Sequence, residues 1–282
     1  MLVAHLSDTH LRSGKASGPP DMGTAALGRA LGHLAELRPR PDAAFITGDL
    51  ADRGEPEAYR AMAGLLEGLP FPAYVIPGNH DDKRELLAAL GPWCPAGPEL
   101  LPEICYSVRV GPVLAVALDT AMEGSHSGGV SEKACRWLAN ELSRNRGAPA
   151  LVFCHHPPFE SGMGLMDTPF INDDWLASAL REDPAVLLCC GHLHAGMALV
   201  WRGIRAVAAP PVSMDMVLEL TQSGGGAYTV GTPGYSIHSL GPEGMLSHFR
   251  AVPWGWPLEK PSSFKELYGA DRPSAANGRA GE

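Results

Sequence analysis

Metal-ligand side chains follow the first two apolar runs of the sequence. Asp8 and His10 come directly after the run Leu2–Ser7, and Asp49 follows a second run through one glycine. In an extended chain the side chains of residues i and i+2 point to the same side, so Asp8 and His10 can hold one metal ion together. The glycine lets the chain turn where the second run ends. These two chain segments therefore predict part of a metal site.

Three later apolar runs end in the same kinds of side chain. They deliver, in chain order, Asn79 with His80, His155 with His156, and His192 with His194. The last pair repeats the i, i+2 spacing. A ligand set of imidazoles, carboxylates and an amide, without a thiolate, suits Zn, Mn, Fe or Co better than Ca. The sequence thus predicts a transition-metal site.

The candidate ligands are too many for a single ion. The side chains that share the pattern are the seven residues Asp8, His10, Asp49, Asn79, His155, His192 and His194. A tetrahedral ion takes about four ligands, whereas two ions that share a carboxylate need about this number. Two ions about 3.5–4 Å apart can lower the pKa of a bridging water and neutralise charge on phosphoryl oxygens. We therefore predict a site for two divalent ions, of Fe, Mn, Zn or Co.

Alternating strand and helix patterns must bring these residues together. The apolar runs predict buried strands at Leu2–Ser7, Ala43–Thr47, Ala73–Ile76, Val113–Leu118, Ala150–Cys154 and Ala185–Cys190. The stretches of helical period between them predict helices at Thr24–Leu37, Glu57–Leu66, Lys83–Leu90, Glu132–Leu142 and Asp174–Leu180. This alternation predicts a layered α/β fold, in which side chains at the ends of neighbouring strands converge on one crevice.

After Gly196 the sequence becomes rich in strand patterns. We expect strands at Met197–Trp201, Arg205–Ala208, Val212–Leu220, Ala227–Val230 and Tyr235–Leu240. The run Val212–Leu220 alternates with a period close to two and would form a hairpin that is broken by residues 223–226. From Ala270 onward the sequence is rich in Ala, Gly, Arg, Ser and Pro, which predicts a disordered tail.

The order of these motifs is similar to that of a known enzyme family. Asp-x-His, Gly-Asp, Gly-Asn-His-Asp, His-His and Gly-His-x-His, in that order, resemble the calcineurin-like metallophosphoesterases. More narrowly, the stretches Leu6–His10, Tyr74–Lys83 and His155–Pro158 look like the glycerophosphodiesterase branch of the bacterial class III cyclic-nucleotide phosphodiesterases. The resemblance covers roughly residues 1–250 in motif order. It implies a phosphodiesterase that hydrolyses small diesters by attack of a metal-bound hydroxide, and the diesters would be either glycerophosphodiesters or 3′,5′-cyclic nucleotides.

The resemblance also implies a role for each side chain. One ion would be held by Asp8, His10 and His194, the other by Asn79, His155 and His192, with Asp49 bridging the two. His80 would face the phosphate, where it either steadies the substrate or protonates the leaving group. Either imidazole of the His155–His156 pair could be the ligand, and the family position favours His155. The catalytic residues would be His80 and Asp49, and the candidate substrate contacts would be Asn79, His80, Arg53 and His156.

For the fold, the resemblance implies a layered α-β-β-α sandwich. Residues 1–196 would form the catalytic core, and residues 197–252 would form a β-rich cap or dimerisation region that completes the sandwich. Residues 253–282 would be a C-terminal segment with the disordered tail. The apolar face of Val212–Leu220 needs something to cover it, so we expect a homodimer or a higher homo-oligomer.

Two other functions stay open on the same fold. Asp52-Arg53-Gly54 resembles part of the Gly-Asp-x-x-Asp-Arg-Gly string of serine/threonine phosphatases, in which the arginine contacts phosphate. A phosphomonoesterase or protein phosphatase is therefore the alternative, and Arg53 is either a substrate contact or a solvated loop charge. A non-catalytic scaffold on this fold would lack ligands, whereas this sequence contains the full set.

Several residues near the motifs have a second interpretation or a structural one. Arg12 is a further candidate for a phosphate contact, and His126 either borders the pocket or lies on the surface. Asp81 and Asp82 are expected to fix a loop and cap a helix rather than to catalyse. His5 lies inside the first predicted strand and is expected to be structural.

The composition limits the partners of the protein. A net charge of −9 over 282 residues argues against binding to a nucleic acid polymer or to an anionic membrane. Bound metal would supply the positive charge that a small-molecule phosphodiester needs. The sequence shows no signal-peptide pattern and no apolar run of membrane-spanning length, so we expect a cytoplasmic protein. The six cysteines lack the spacing of a disulfide framework, and a Cys94–Cys105 bridge is the one pairing left open.

Overall fold

Five α-helices and fifteen strands are described, over residues 1–13, 22–181, 185–220 and 226–253 of a computed structural model. The helices are α1 (Met22–Glu36), α2 (Pro56–Glu67), α3 (Lys83–Leu90), α4 (Glu132–Arg144) and α5 (Asp173–Arg181). The strands are β1 (Leu2–Leu6), β2 (Ala43–Thr47), β3 (Ala73–Ile76), β4 (Tyr106–Val110), β5 (Val113–Ala117), β6 (Gly128–Gly129), β7 (Ala150–Phe153), β8 (Phe170–Ile171), β9 (Val186–Cys190), β10 (Met197–Trp201), β11 (Ile204–Ala208), β12 (Asp215–Met216), β13 (Tyr228–Thr229), β14 (Gly234–Gly241) and β15 (Gly244–Ala251).

The strands build two central sheets. Sheet I has the order β15-β14-β1-β2-β3, and sheet II has the order β10-β11-β9-β7-β5-β4. In sheet I, β1, β2 and β3 run parallel, and β14 and β15 add an antiparallel pair next to β1. In sheet II, β5, β7, β9 and β11 run parallel, with the antiparallel strands β4 and β10 at the edges. The short ribbons β6-β8 and β12-β13 lie outside both sheets.

The two sheets pack face to face, with helices on their outer faces. The rings of Phe45 on β2 and Phe153 on β7 stack across the interface with their centroids 4.2 Å apart. Successive residues of β7 belong to different cores, because Leu151 packs towards sheet I whereas Val152 packs with the apolar residues of α4 and α5. Helices α1 and α2 bury apolar side chains such as Leu27 in the core of sheet I. These layers confirm the predicted α-β-β-α sandwich.

The six strands predicted before Gly196 are all present, and their bounds differ by at most one residue. The same is true of β10, and helices α1 to α5 fall where helical periodicity predicts them. Ser131 caps α4 by accepting a hydrogen bond from the backbone of Ala134, and Asp82 caps α3 as expected. The two-residue strands β6 and β8 were not predicted, and neither were β4 and β15 of the two central sheets. Strands β4 and β15 both lie at sheet edges, and most residues of β15 are exposed, so neither has the apolar run of a buried strand.

One predicted strand is wrong. Within Val212–Leu220, only Asp215–Met216 forms a strand, and it pairs in antiparallel direction with Tyr228–Thr229 as the β12-β13 hairpin. The backbone N–H of Val212 instead donates to Ser7 O at 2.9 Å, so the start of this stretch is fixed to the loop after β1. The remaining strands after residue 196 join both sheets, since β10 and β11 extend sheet II and β14 and β15 extend sheet I. The predicted disordered tail lies outside the described residues.

Two further predictions concern a disulfide bridge and membrane-spanning segments. All six cysteines are buried free thiols, so the Cys94–Cys105 bridge does not form. None of the helices in the described ranges combines the length and the hydrophobicity that crossing a bilayer requires.

Candidate metal centre and adjoining cleft

The predicted ligands lie in loops at one edge of the sandwich. Parallel strands β1, β2 and β3 of sheet I and β7 and β9 of sheet II each end immediately before one of these loops. Because the carboxyl ends of parallel strands meet at one edge of a sheet, the loops of both sheets approach one another there. All the predicted ligands are buried except Asn79, which is half-buried.

The backbone is strained at most of these positions. In the described residues, seven non-glycine residues have a positive φ, and five of them are the predicted ligands Asp8, His10, Asp49, His192 and His194. A left-handed conformation costs of order 1–3 kcal/mol for such residues and persists only where the surrounding structure enforces it. Backbone hydrogen bonds between the first two loops hold the residues in this conformation, and one of them runs from His10 N to Asp49 O at 2.8 Å. Clustering of strain in one place is typical of a functional site.

Gly48 allows a close approach between the two sheets at this edge. Its φ is +80°, and a Cβ atom on it would lie 2.5 Å from Nδ1 of His155. A larger residue would therefore push His155 out of place as well as strain the turn. The glycine of the Gly-Asp motif is thus required by packing across the sheets as well as by the turn.

The first group of ligand atoms lies between the loops after β1, β2 and β9. Nε2 of His10 lies 3.1 Å from Nε2 of His194 and 3.5 Å from Oδ2 of Asp49. Nε2 of His194 lies 3.5 Å from Oδ1 of Asp8. Ligand atoms of these four buried residues all lie within 4.8 Å of one another. This group matches the ligands predicted for one ion, together with the predicted bridging carboxylate.

A second group lies on the other side of Asp49. Ligand atoms of His155, His156 and His192 lie within 4.8 Å of one another. Oδ1 of Asn79 lies 3.2 Å from Nε2 of His155 and 3.1 Å from Nε2 of His156. The two imidazoles are therefore almost equally close to the amide oxygen. The geometry brings all four residues together and leaves both histidines of the pair as candidate ligands.

Asp49 lies between the two groups and faces both. Its Oδ1 is 3.3 Å from Nε2 of His155, and its Oδ2 is 3.5 Å from Nε2 of His10. Oδ1 also accepts a hydrogen bond from the backbone N–H of His80 at 3.0 Å. One carboxylate can thus offer one oxygen to each group, which is the arrangement that a pair of ions requires.

Backbone carbonyls fix the tautomers of two candidate ligands. Nδ1 of His155 donates to Thr47 O at 2.8 Å, and Nδ1 of His194 donates to Met214 O at 2.7 Å. A carbonyl oxygen only accepts hydrogen bonds, so in the neutral rings the proton lies on Nδ1 and Nε2 keeps its lone pair. Metal-binding histidines are held in this way, and the residues present therefore fit a pair of divalent ions.

Asp49 and His155 shift each other's pKa even without a metal ion. Burial acts to raise the pKa of Asp49, but the neighbouring His155 holds it well below the usual range. Burial acts to lower the pKa of His155, and Asp49 overcomes this effect and raises it. By contrast, burial lowers the pKa of His192 to about 3, so this ring is neutral at pH 7. A cation is therefore favoured beside Asp49, and a metal ion can take the place of the proton on His155.

His80 and Asp52 complete the inner wall of the site. Nδ1 of His80 donates to Asp52 O at 2.8 Å, which leaves its Nε2 free on the side facing Asp49, 3.9 Å from Oδ2. The side chain of His80 is one-third exposed, as a substrate contact must be. The Asp52 carboxylate lies 3.3 Å from Nδ1 of His10 and 3.1 Å from Nε of Arg12. Sequence reasoning missed this role of Asp52, although the Gly-Asp-x-x-Asp spacing was a signal for it.

The remaining predicted residues have the following places. Asp81 is buried, and its carboxylate accepts hydrogen bonds from the backbone of Leu50, Ala51 and Gly78, so it fixes a loop as expected. His5 is buried in β1 and hydrogen-bonds to Thr47 Oγ1 at 2.8 Å, which supports a structural role. Arg12 forms an ion pair with Asp52, and Arg53 lies beside the same carboxylate. His126 borders the site next to Asn79 and His80.

A cleft of about 1040 Å³ opens beside Asn79 and His80. Its lining includes the first turns of α3 and the loop at residues 121–124. Lys83 fixes that loop, because its Nζ lies 2.6 Å from Asp119 Oδ2 and donates to Ala121 O at 2.8 Å. Arg53 also lines this cleft, with 64% of its side chain exposed. The site is therefore open to a small molecule on its His80 side.

Comparison with protein-family models gives one match over the described core. The model for the calcineurin-like phosphoesterases matches residues 1–196. This range contains every candidate ligand that was predicted from the sequence.

Curated relatives extend the similarity over most of the chain. A probable glycerophosphodiester phosphodiesterase, GpdQ, of Arcobacter nitrofigilis is 31% identical over 255 residues, which are 88% of this chain and 92% of that protein. A cAMP/cGMP dual specificity phosphodiesterase of Mycobacterium tuberculosis is 33% identical over 236 residues, which are 80% of this chain and 71% of that protein. Among solved structures, a purple acid phosphatase from yellow lupin seeds matches with a TM-score of 0.59 at 12% identity, over 89% of this chain and 51% of that one. At that identity the structural match shows the fold alone.

Proposed function

The chain belongs to the calcineurin-like phosphoesterase family, and we propose from that premise that it is a two-metal phosphodiesterase of small diesters. Its substrate would be a glycerophosphodiester or a 3′,5′-cyclic nucleotide, the two classes named for its relatives. The observation that carries the proposal is the position of Asp49, whose two oxygens face two separate groups of ligand atoms. The ions would be Fe, Mn, Zn or Co, since this set of nitrogen and oxygen ligands suits all four.

Each candidate ligand would have one place in the site. Asp8, His10 and His194 would hold one ion, and Asn79, His155 and His192 the other, with Asp49 shared between them. When bound, a pair of divalent ions supplies Lewis-acid charge and a nucleophilic water at neutral pH. His156 would then lie beside the second ion and the substrate, where its Nε2 already contacts Asn79.

His80 would serve the leaving group. Its Nδ1 proton is held by Asp52 O, so protonation of the ring places a second N–H on Nε2, which faces the site. From there His80 can donate a hydrogen bond to a phosphoryl oxygen or hand its proton to the departing alkoxide. In-line displacement at phosphorus needs little else from the protein beyond positioning.

A phosphomonoesterase is the second candidate function, and one observation favours it. Arg53 lines the cleft, and its guanidinium could pair with the doubly charged end of a monoester. Against this, its Nε lies 3.6 Å from the Asp52 carboxylate, which already offsets its charge. Hydrolysis of a diester in preference to a monoester supports the diesterase, and the reverse preference supports the monoesterase.

We also propose that copies of the chain associate through the β12-β13 hairpin. A second proposal, that the protein is cytoplasmic, rests on its cysteines. The hairpin exposes large apolar side chains that solvent would otherwise surround. These are Val217, Leu218, Leu220, Tyr228 and Val230, of which Leu218 is the most exposed at 71%. Six free buried thiols fit a reducing compartment.

Substitution of the shared carboxylate tests the proposed function. Asp49→Ala should lower diester turnover by three orders of magnitude or more, on the order of the several kcal/mol that metal ions contribute. The matched control is Glu67→Ala, which removes an exposed carboxylate at the end of α2. Thermal unfolding of both variants checks that they remain folded. Near-normal turnover by a folded Asp49→Ala protein would contradict a two-metal mechanism.

A further inference from the structure

The cleft lies beside His80, on the side of the site where the leaving group of a substrate would be. His80 is the residue placed to serve the leaving group, and the cleft continues from His80 along α3. Its volume of about 1040 Å³ exceeds what the phosphate itself needs and matches a ligand-sized pocket. The part of the substrate that departs after hydrolysis is therefore the part that this cleft would hold.

Three cationic side chains line the cleft, and two of them are already paired. Lys83 forms an ion pair with Asp119 at 2.6 Å, and Arg53 lies 3.6 Å from Asp52. Arg84 is exposed at the second residue of α3, and within the described ranges it forms no ion pair with a carboxylate. In a protein of net charge −9, a guanidinium without an ion-pair partner among the described residues can attract an anion into this cleft. Arg84 can bind a carboxylate or phosphate in a two-pronged geometry.

Apolar side chains lie on the same cleft. Leu87 follows Arg84 by three residues, so the two share one face of α3. Across the cleft, Leu101 is 42% exposed and Met122 is 38% exposed. These surfaces can pack against the body of a leaving group while its anionic end reaches Arg84. Glu123 on the same loop and Asp82 at the start of α3 are exposed carboxylates in the lining of this cleft, and both disfavour an anion.

We propose that this cleft selects phosphodiesters whose leaving group carries a second anionic group, bound by Arg84, on an apolar body packed against Leu87, Leu101 and Met122. The inference rests on the proposed diesterase function. It names the substrate class within that function: the leaving alcohol bears a carboxylate or phosphate of its own. Arg84 acts in binding, at a distance from the reacting phosphorus.

Two matched chromogenic diesters test the proposal. Methyl 4-nitrophenyl phosphate has a neutral aromatic leaving group, and methyl 3-carboxy-4-nitrophenyl phosphate adds one carboxylate to the same ring. The ratio of kcat/KM for the carboxylated ester to that for the neutral ester is measured with metal-loaded wild type and variants. Arg84→Gln should lower this ratio about tenfold, the size expected for a lost hydrogen bond to a charged group. The loss should appear in KM, because remote binding is equal in the ground and transition states.

Further variants separate the loss of binding by Arg84 from a general effect of removing a surface charge. Arg60→Gln removes an exposed arginine of α2 that pairs with Glu57 outside the cleft, and it should leave the ratio unchanged. Glu123→Gln should raise the ratio, because it removes an opposing negative charge. An unchanged ratio in Arg84→Gln, or an equal fall in Arg60→Gln, would overturn the proposal. If the metal-loaded wild type hydrolyses neither ester, the diesterase function fails as well, whereas hydrolysis of both with an unaltered ratio overturns this inference alone.

Discussion

The side-chain amide of Asn79 is oriented by His126. Nδ2 of Asn79 donates to Nδ1 of His126 at 3.1 Å, which turns Oδ1 of Asn79 toward His155 and His156. An amide nitrogen cannot bind a cation, so this hydrogen bond sets which end of Asn79 is available to a metal ion. His126 lies on an exposed loop, and it orients Asn79 through this hydrogen bond without being one of the candidate metal ligands.

His126→Ala should therefore weaken metal binding without removing a ligand. We expect a loss of about 10- to 100-fold in the affinity of one of two ions, as for other residues that orient ligands. Titration of metal-stripped protein with Mn²⁺, followed by calorimetry, measures both affinities. His126→Gln, which keeps an acceptor, should restore part of the affinity, and His248→Ala on exposed β15 is the control. Equal affinities in His126→Ala and the control would show that Asn79 is oriented by other contacts.

Buried histidines away from the site should make the fold sensitive to acid. Burial lowers the pKa of His238 to about 3, and burial together with His238 lowers the pKa of His5 well below its usual value. The unfolded chain takes up a proton at each ring below about pH 6.5, whereas the folded chain does not. Stability is therefore full above about pH 6.5 and is lost as the pH falls from there toward 3.

Urea unfolding at pH 7.5 and pH 5 measures this effect, with a chelator present so that metal binding does not contribute. The wild type should lose about 2 kcal/mol more between these pH values than His238→Gln, the amount expected for one buried neutral histidine. Glutamine can keep a hydrogen bond to Ser247, which now contacts Nδ1 of His238 at 2.9 Å. The same loss in both proteins would mean that His238 is protonated in the folded state.

The strands of the fold differ in how much the sequence reveals of them. Ala43–Thr47 and Ala73–Ile76 are predicted to the residue, because both runs are almost entirely apolar and nearly all of their residues are buried, although Ala73–Ile76 lies at the edge of sheet I. Gly244–Ala251 lies at an edge with most side chains exposed and carries no such signal. The run Val212–Leu220 has the period of a strand, yet beyond Met216 it finds no partner strand in the described residues. Pattern alone does not decide whether a partner is present.

The candidate metal centre also has parts that the sequence reveals and parts that it does not. The positions of its candidate ligands were predictable because each of them follows a strand whose direction fixes where its end lies. The contacts behind the ligands were not, since Asp52 meets His10 and His126 meets Asn79 only through the folded loops. The loop that carries His126 is fixed by the Asp119–Lys83 ion pair, whose partners lie far apart in the sequence.

The exposed hairpin predicts a change of oligomeric state on substitution. Leu218→Glu places a charge in the apolar patch and should shift the protein from a dimer or larger assembly to a monomer. Light scattering of the eluted protein measures the mass. Val200→Glu, at an equally exposed position on β10, is the matched control and should leave the mass unchanged. A monomeric wild type would rule out association through the hairpin.

The most direct test of the two-metal diesterase is hydrolysis by metal-stripped protein before and after reloading with Mn²⁺. The substrates are 3′,5′-cyclic AMP, a glycerophosphodiester and a phosphomonoester, measured at equal concentrations. We predict that the stripped protein is inactive, that reloading restores activity, and that a diester is hydrolysed faster than the monoester. Activity that survives stripping, or a clear preference for the monoester after reloading, would contradict the central claim.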